Sequence, residues 1–338
     1  MGLNTTSAPA FISSYINEKM LRKTINDINT KINNKRHKCL NPDCSNSKTQ
    51  KCHTISKRSI KRFSSNHNDL KIVKKNMFEA IFPGEKGRNF FCQFSINDDP
   101  TFKGFCNDCD TKLFYDTDNY IHIKGKDIPN IVLLQMHYRQ VCYGIIELEY
   151  LKITNEELLK YTRVYHPGSK SYEILKDEII PKTLAIYDLH LKVKKKCEYY
   201  LEKIKLSDRP LMPKIILIGD KTNPVCFGRV GYYAYQYAYS EEKVISQFCH
   251  FLPFATFSSV IGEQGESHLV FTSLPEDASH LVPIIRIIDR ENWKDIIANL
   301  IYNFSDGCFF KTMRIETNNA KINKTLNYFI ENSGLEYT

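Results

Sequence analysis

Two cysteine pairs, Cys39 with Cys44 and Cys106 with Cys109, constrain this chain more than any other feature. Cys39 and Cys44 enclose four residues, in CysLeuAsnProAspCys, and Cys106 and Cys109 enclose two, in PheCysAsnAspCysAsp. Such spacings let a tight turn aim two thiolates at one ion. The pairs stand 61 residues apart, so a closed tetrahedral zinc site built from all four would tie together distant stretches of chain, and soft thiolates favour zinc. A local set of Cys39, Cys44, Cys52 and His53 is disfavoured, because adjacent residues seldom both point at one ion. Eleven cysteines among 338 residues is an odd number. The N-terminus lacks the charged and apolar regions of a secretory signal, so the expectation is reduced thiols in a soluble cytoplasmic protein. Cys142, Cys197, Cys226, Cys249 and Cys308 sit singly among apolar neighbours and read as small buried hydrophobes.

Around the cysteines the chain divides into four segments. Residues 1–37 read as a helical arm, with apolar residues near a spacing of 3.6 from Tyr15 to Ile32, suited to packing on another domain or a second copy. Residues 38–125 are cysteine-rich, basic and poor in long periodic runs, so a metal has to substitute for a core of their own. Residues 126–210 read as a helical connector, with helices over Ile128–Leu151, Asn155–Tyr161 and Thr183–Leu206. Residues 211–338 carry short β-rich runs separated by Gly, Pro, Asn and Ser, then helices from Trp293 and over Asn318–Asn332, as expected of an antiparallel sheet with helices. The fold class expected is α+β. Tyr233, Tyr235, Tyr237 and Tyr239 share one face at period two, which fits a sheet face packed on helices better than a base-stacking platform.

The net charge of +9 is unevenly spread. Between Lys31 and Lys75, thirteen basic residues face two acids, Asp43 and Asp69, a local balance of +11. The positive field therefore belongs to the stretch that carries the cysteines. That coincidence points to a polyanion as partner, with Lys57, Arg58, Lys61 and Arg62 as the candidate nucleic-acid contacts. A charge run alone is more often a solvated face.

The order of CysLeuAsnProAspCys, then CysHisThrIleSer, a basic loop, and PheLysGlyPheCysAsnAspCysAspThrLysLeuPhe resembles the treble-clef arrangement of HNH nucleases. It is most similar to a group of bacterial HNH-like proteins with a Cys pair, a Ser-His-Ile segment and a Phe-Cys-x-x-His-Asp segment in that order. The resemblance covers roughly Lys38 to Tyr120. It implies a treble-clef domain over 38–125 with structural zinc on Cys39, Cys44, Cys106 and Cys109. It also implies His53 as general base, on the β-hairpin after the first knuckle, and Asp110 as ligand of a catalytic magnesium or manganese. The chemistry is consistent, since an imidazole can take a proton from water near neutral pH while a divalent ion stabilises charge on the phosphate. Asp110 also sits where a carboxylate simply favours a helix N-terminus. Two departures stand out: Cys52 occupies the place where many HNH enzymes carry an acid, and Cys109 stands where the most similar group has histidine. The middle asparagine has four candidates, Asn68, Asn76, Asn89 and Asn97.

The expected function is thus a metal-dependent HNH-like endonuclease acting on DNA ahead of RNA. The C-terminal domain would supply target recognition, homo-oligomerisation or partner docking, with no membrane association. The resemblance sets such a protein among bacterial defence or mobile-element effectors. The alternative is a non-catalytic zinc module that binds nucleic acid or a protein partner. A third reading places function at Glu263, Glu266, His268, Glu276, Asp277 and His280, although exposed loops are commonly rich in such residues. His37, His67, His122, His137 and His166 have no spacing that selects them.

Overall fold

The computed structural model describes residues 18–46, 48–64, 70–73, 91–93, 101–123, 126–205, 211–221, 223–230 and 252–311. In chain order the elements are α1 (Glu18–Asn34), β1 (Gln50–His53), α2 (Lys57–Phe63), β2 (Leu70–Val73), β3 (Phe91–Gln93), β4 (Thr101–Phe105), α3 (Asn107–Leu113) and α4 (Tyr115–Asn119). The long helix α5 (Asn130–Tyr165) follows, then α6 (Lys170–Ile174), a π turn Leu175–Ile179, α7 (Ile180–Lys205), β5 (Lys214–Leu217), β6 (Val225–Arg229), β7 (Ala255–Ile261) and β8 (Ser267–Ser273). The chain then takes a 3-10 turn Pro275–Leu281 into α8 (Val282–Ile288), α9 (Trp293–Phe304) and β9 (Ser305–Lys311). The tyrosine run 233–239, the helix expected over 318–332 and the four candidate asparagines lie outside the described residues.

Helix α5 organises the molecule. Every residue from Val132 to Ile146 is buried, so this stretch has no solvent-facing side and serves as a core helix, not as the connector its place between two domains suggests. It runs unbroken through both helices expected over 128–151 and 155–161, and α7 packs along it. The α1 arm docks on the same helix, burying Ile25 and Ile28. Lys31 reaches Glu157 at 2.7 Å, while Lys35 and His37 reach Glu149 at 2.9 and 3.0 Å. The arm's cover is therefore this chain's own α5.

Among the described residues two antiparallel sheets form, in which β1 pairs with β4 and the other seven strands run in the order β3-β2-β9-β6-β7-β8-β5. Strands β6, β7 and β8 are buried along their whole length, because the sheet is covered on both faces. Val225, Phe227, Val260 and Val270 face α5 in one continuous core that also contains Phe102, Phe105 and Phe114 from the cysteine-bearing unit. Ala255, Phe257 and Phe271 meet Ile284, Ile287, Ile296 and Ile297 of α8 and α9 on the far side.

The boundaries drawn at 125/126 and 210/211 do not coincide with packing units. The β2–β3 hairpin leaves the cysteine-bearing stretch and pairs through β2 with β9, so the large sheet contains residues from both ends of the chain. One ion-pair node pins the layers together. Arg229 on β6 reaches Asp306 of β9 at 2.8 Å, pairs with Glu147 of α5, and lies 3.4 Å from Nε2 of His190 on α7. Gly144 makes room for it, since a Cβ there would lie 2.4 Å from Arg229 Nη1 and 2.5 Å from His190 Nε2.

Candidate metal centre

The AsnProAsp turn brings Cys39 and Cys44 to one side of their loop, with the Cys44 amide donating to the Asn41 carbonyl at 3.1 Å. Leu40 donates to the Gly104 carbonyl at 2.8 Å, which fastens this loop to β4. Strand β4 then runs directly into α3, placing Cys106 at the helix N-cap and Cys109 in its first turn. The four sulfurs all lie within 4.8 Å of one another.

These residues fit a metal ion such as zinc. Thiolates 2.3 Å from a zinc ion form a tetrahedron with edges of about 3.8 Å, and Cys44 Sγ and Cys106 Sγ are 3.7 Å apart. Three N–H groups point at the sulfurs: Asn41 Nδ2 to Cys109 at 3.1 Å, the Asn46 amide to Cys44 at 3.4 Å and the Cys106 amide to Cys39 at 3.4 Å. Such donors stabilise thiolate charge around a bound ion. The hydrogen bond from the Cys109 backbone favours the Cys106 thiolate, whereas burial disfavours that of Cys39 and pushes the Cys109 thiol up to about 12. Four thiolates this close repel one another, and a cation at their centre removes that conflict.

Cys52 is not part of this group. Its side chain is fully buried between the carbonyls of Gln50 and Phe105, and burial followed by the charge of Asp110 raises its thiol to about 12. The local four-residue set is thereby excluded. His53 ends β1, opposite Thr101 of β4, and also lies outside the sulfur cluster. The hairpin expected immediately after the first knuckle is instead a pair formed by β1 and β4, with α2, β2 and β3 inserted between them.

Asp110 follows Cys109 in the first turn of α3 and points back towards β1. Burial raises its carboxyl pKa, Arg139 opposes that shift, Asp118 reinforces it, and Cys52 and His53 again oppose it. His53 and Asp110 are thus within electrostatic reach of each other. The Oδ1 atom of Asp110 is buried and has no hydrogen-bond partner among the described residues, a costly condition for an acceptor.

No sequence motif marks Arg139. It is 2% exposed on α5, donates through Nη1 to Asp118 Oδ1 at 2.7 Å, and lies with its guanidinium carbon 4.0 Å from the Phe114 ring centre. One signal could have found it: Gln135, His137, Arg139 and Gln140 interrupt an otherwise apolar run, and polar groups on a buried helix need partners.

Of the basic residues on α2, Lys57, Arg58 and Lys61 are the candidates turned outward, and Arg58 donates to Asn119. Arg62 is half-buried, so it belongs partly to the packing of α2. The C-terminal polar residues do not form one cluster. Glu266 lies 4.0 Å from buried His268, whereas Glu276 and Asp277 bind Lys196 and His280 stacks on Phe254. Cys142, Cys197 and Cys226 are buried free thiols. Among the described residues no helix is long and apolar enough to cross a membrane. No family model, curated protein or solved structure matches the chain.

Proposed function

We propose that this chain is a metal-dependent endonuclease that cleaves nucleic-acid phosphodiesters from a treble-clef, HNH-like unit. One juxtaposition carries the reading. His53 ends the strand that pairs with β4, Asp110 sits in the first turn of the helix that β4 runs into, and the charge of His53 opposes the rise that burial gives the Asp110 carboxyl pKa. The order of cysteine loop, two paired strands and helix, with a cysteine pair at each end, supports the treble-clef description.

In this reading zinc on Cys39, Cys44, Cys106 and Cys109 is structural. His53 is the general base that takes a proton from the attacking water. Asp110 offers a carboxylate oxygen as ligand, and Oδ1 is the atom that lacks a protein partner among the described residues. Magnesium or manganese held there would stabilise charge on the phosphate and the leaving oxygen. Lys57, Arg58 and Lys61, on the helix that begins four residues after His53, would neutralise neighbouring phosphates of DNA, and of RNA second. A defence or mobile-element setting in a bacterium is part of the same proposal.

A non-catalytic zinc module that binds nucleic acid is the second reading. Cys52 favours it, because its thiol is turned into the core where an acid would have given the catalytic ion another anchor. Cleavage assays on plasmid DNA, single-stranded DNA and RNA with magnesium or manganese separate the two. His53→Ala is expected to abolish cleavage while zinc content and nucleic-acid binding persist, and Asp110→Asn to weaken the response to added metal. Binding without cleavage by the wild type would replace the nuclease with the module.

A further inference from the structure

A cavity of about 30 Å³ lies where the start of α2, α4, α5 and β7 meet. A single water needs roughly 10 to 15 Å³ of such space, so the cavity has room for two or three waters or a comparably small polar group and is too small for a base or a sugar. Its wall is polar for so interior a place. Ser56, Ser59 and Thr117 supply hydroxyls from the zinc unit, Ser258 supplies one from β7, and α5 contributes Arg139 and Gln140. No carboxylate lines it, and Arg139 is its one formal charge among the described residues.

Two of these side chains are incompletely satisfied. Arg139, 2% exposed, has a buried Nε with no hydrogen-bond partner among the described residues, because its bond to Asp118 uses Nη1. Gln140, 1% exposed, has a buried Oε1 in the same condition. A half-turn of its amide exchanges groups of nearly the same shape and presents two N–H donors instead. Leaving such groups unpaired is expensive, and more so for a charged donor. An oxyanion would accept from Arg139 Nε, from the turned Gln140 amide and from the Ser59 and Ser258 hydroxyls, whereas the Thr117 hydroxyl already donates to the Val132 carbonyl and Gln135 Oε1 and that of Ser56 bonds Ser59 and the Asp118 carbonyl.

We propose that this cavity is an oxyanion subsite that takes one phosphate group of a nucleic-acid strand. The polynucleotide source rests on the proposed function, since Thr54, next to His53 in sequence, lines the cavity and the basic α2 begins at its edge. The oxyanion chemistry itself rests on the cavity alone.

The test uses the full, zinc-loaded chain and inorganic phosphate as probe, followed by calorimetry and by displacement of a fluorescent oligonucleotide. The wild type should bind phosphate saturably in the millimolar range or tighter, and phosphate should compete with the oligonucleotide. Gln140→Glu, which puts a negative charge in the wall, should weaken phosphate binding by at least about tenfold. Gln140→Met, neutral and of similar length, should weaken it less while keeping zinc content and melting temperature, which guards against misfolding of the first variant. Unsaturable binding by the wild type, or equal affinity in both variants, overturns the subsite. Phosphate that binds without displacing the oligonucleotide overturns the nucleic-acid assignment. If phosphate binds and Gln140→Glu abolishes it while no nucleic acid is cut, the subsite stands and the nuclease reading falls. Cleavage with phosphate binding indifferent to Gln140 removes the subsite and leaves the nuclease.

Discussion

Cys106 has a double task at the scale of single residues, as a candidate metal ligand and as the N-cap of α3. Cys106→Ser should therefore lose tightly bound zinc and lower the melting temperature, since a structural site contributes folding free energy directly. Asn41→Ala is the milder companion. It keeps four thiolates but removes the amide that donates to Cys109 Sγ at 3.1 Å, so zinc affinity should fall by about tenfold or more while the fold persists at saturating zinc. Metal analysis and competition with a chromophoric chelator measure both. Full occupancy and unchanged melting in Cys106→Ser would dismiss the four-cysteine assignment.

Between elements, the Arg229 node joins β6, β9, α5 and α7 through a fully buried guanidinium. Arg229→Met removes the guanidinium that the carboxylates of Glu147 and Asp306 share in a largely buried place, which should cost about 3–5 kcal/mol. Glu147→Gln on that background should recover part of the loss, because it removes one of the two carboxylate charges that faced the guanidinium. Urea denaturation reads both values. A loss below about 1 kcal/mol would mean that the node is solvated and does not hold the layers.

Across the whole molecule, acid should be more damaging than a count of carboxylates suggests. Burial pushes His137 and His190 down to about 3, whereas an unfolded histidine titrates near 6.5. Below about pH 6.5 the unfolded chain binds protons that these folded side chains refuse, so their contribution is complete at neutral pH and is lost as pH falls towards 3. Each adds a slope of up to about 1.4 kcal/mol per pH unit within that window. His137→Gln should reduce proton uptake on unfolding at pH 5 by about one. Comparison with the wild type cancels acid loss of zinc, and an identical pH slope would show that His137 does not contribute. At neutral pH the basic surface is the other global property. Reversing charge at exposed Lys57 and Lys61 should weaken DNA binding across sequences and flatten its salt dependence, with Arg62 left alone because it is half-buried. Unaltered binding would make α2 a solvated face.

Local signals are legible in the amino-acid order by itself. The two cysteine pairs predict their own convergence because each spacing is a turn that needs nothing else, and the tetrad forms as expected. Period alone places α1, α7 and the start of α9 to within a few residues and announces short strands after residue 211, since an amphipathic helix or a short β-branched run is complete within a dozen positions. Residues 128–161 read as a connector because an apolar helix has the same period whether it bridges two domains or sits at the centre of one. Only tertiary packing decides that α5 is the core, that β2 pairs with β9 from more than 200 positions away, and that His53 lies within electrostatic reach of Asp110 across inserted elements. The cavity at Arg139 belongs to the same class. It is made by residues of four elements distant in sequence, and a buried polar group becomes informative only when its partners, and those it lacks, are known.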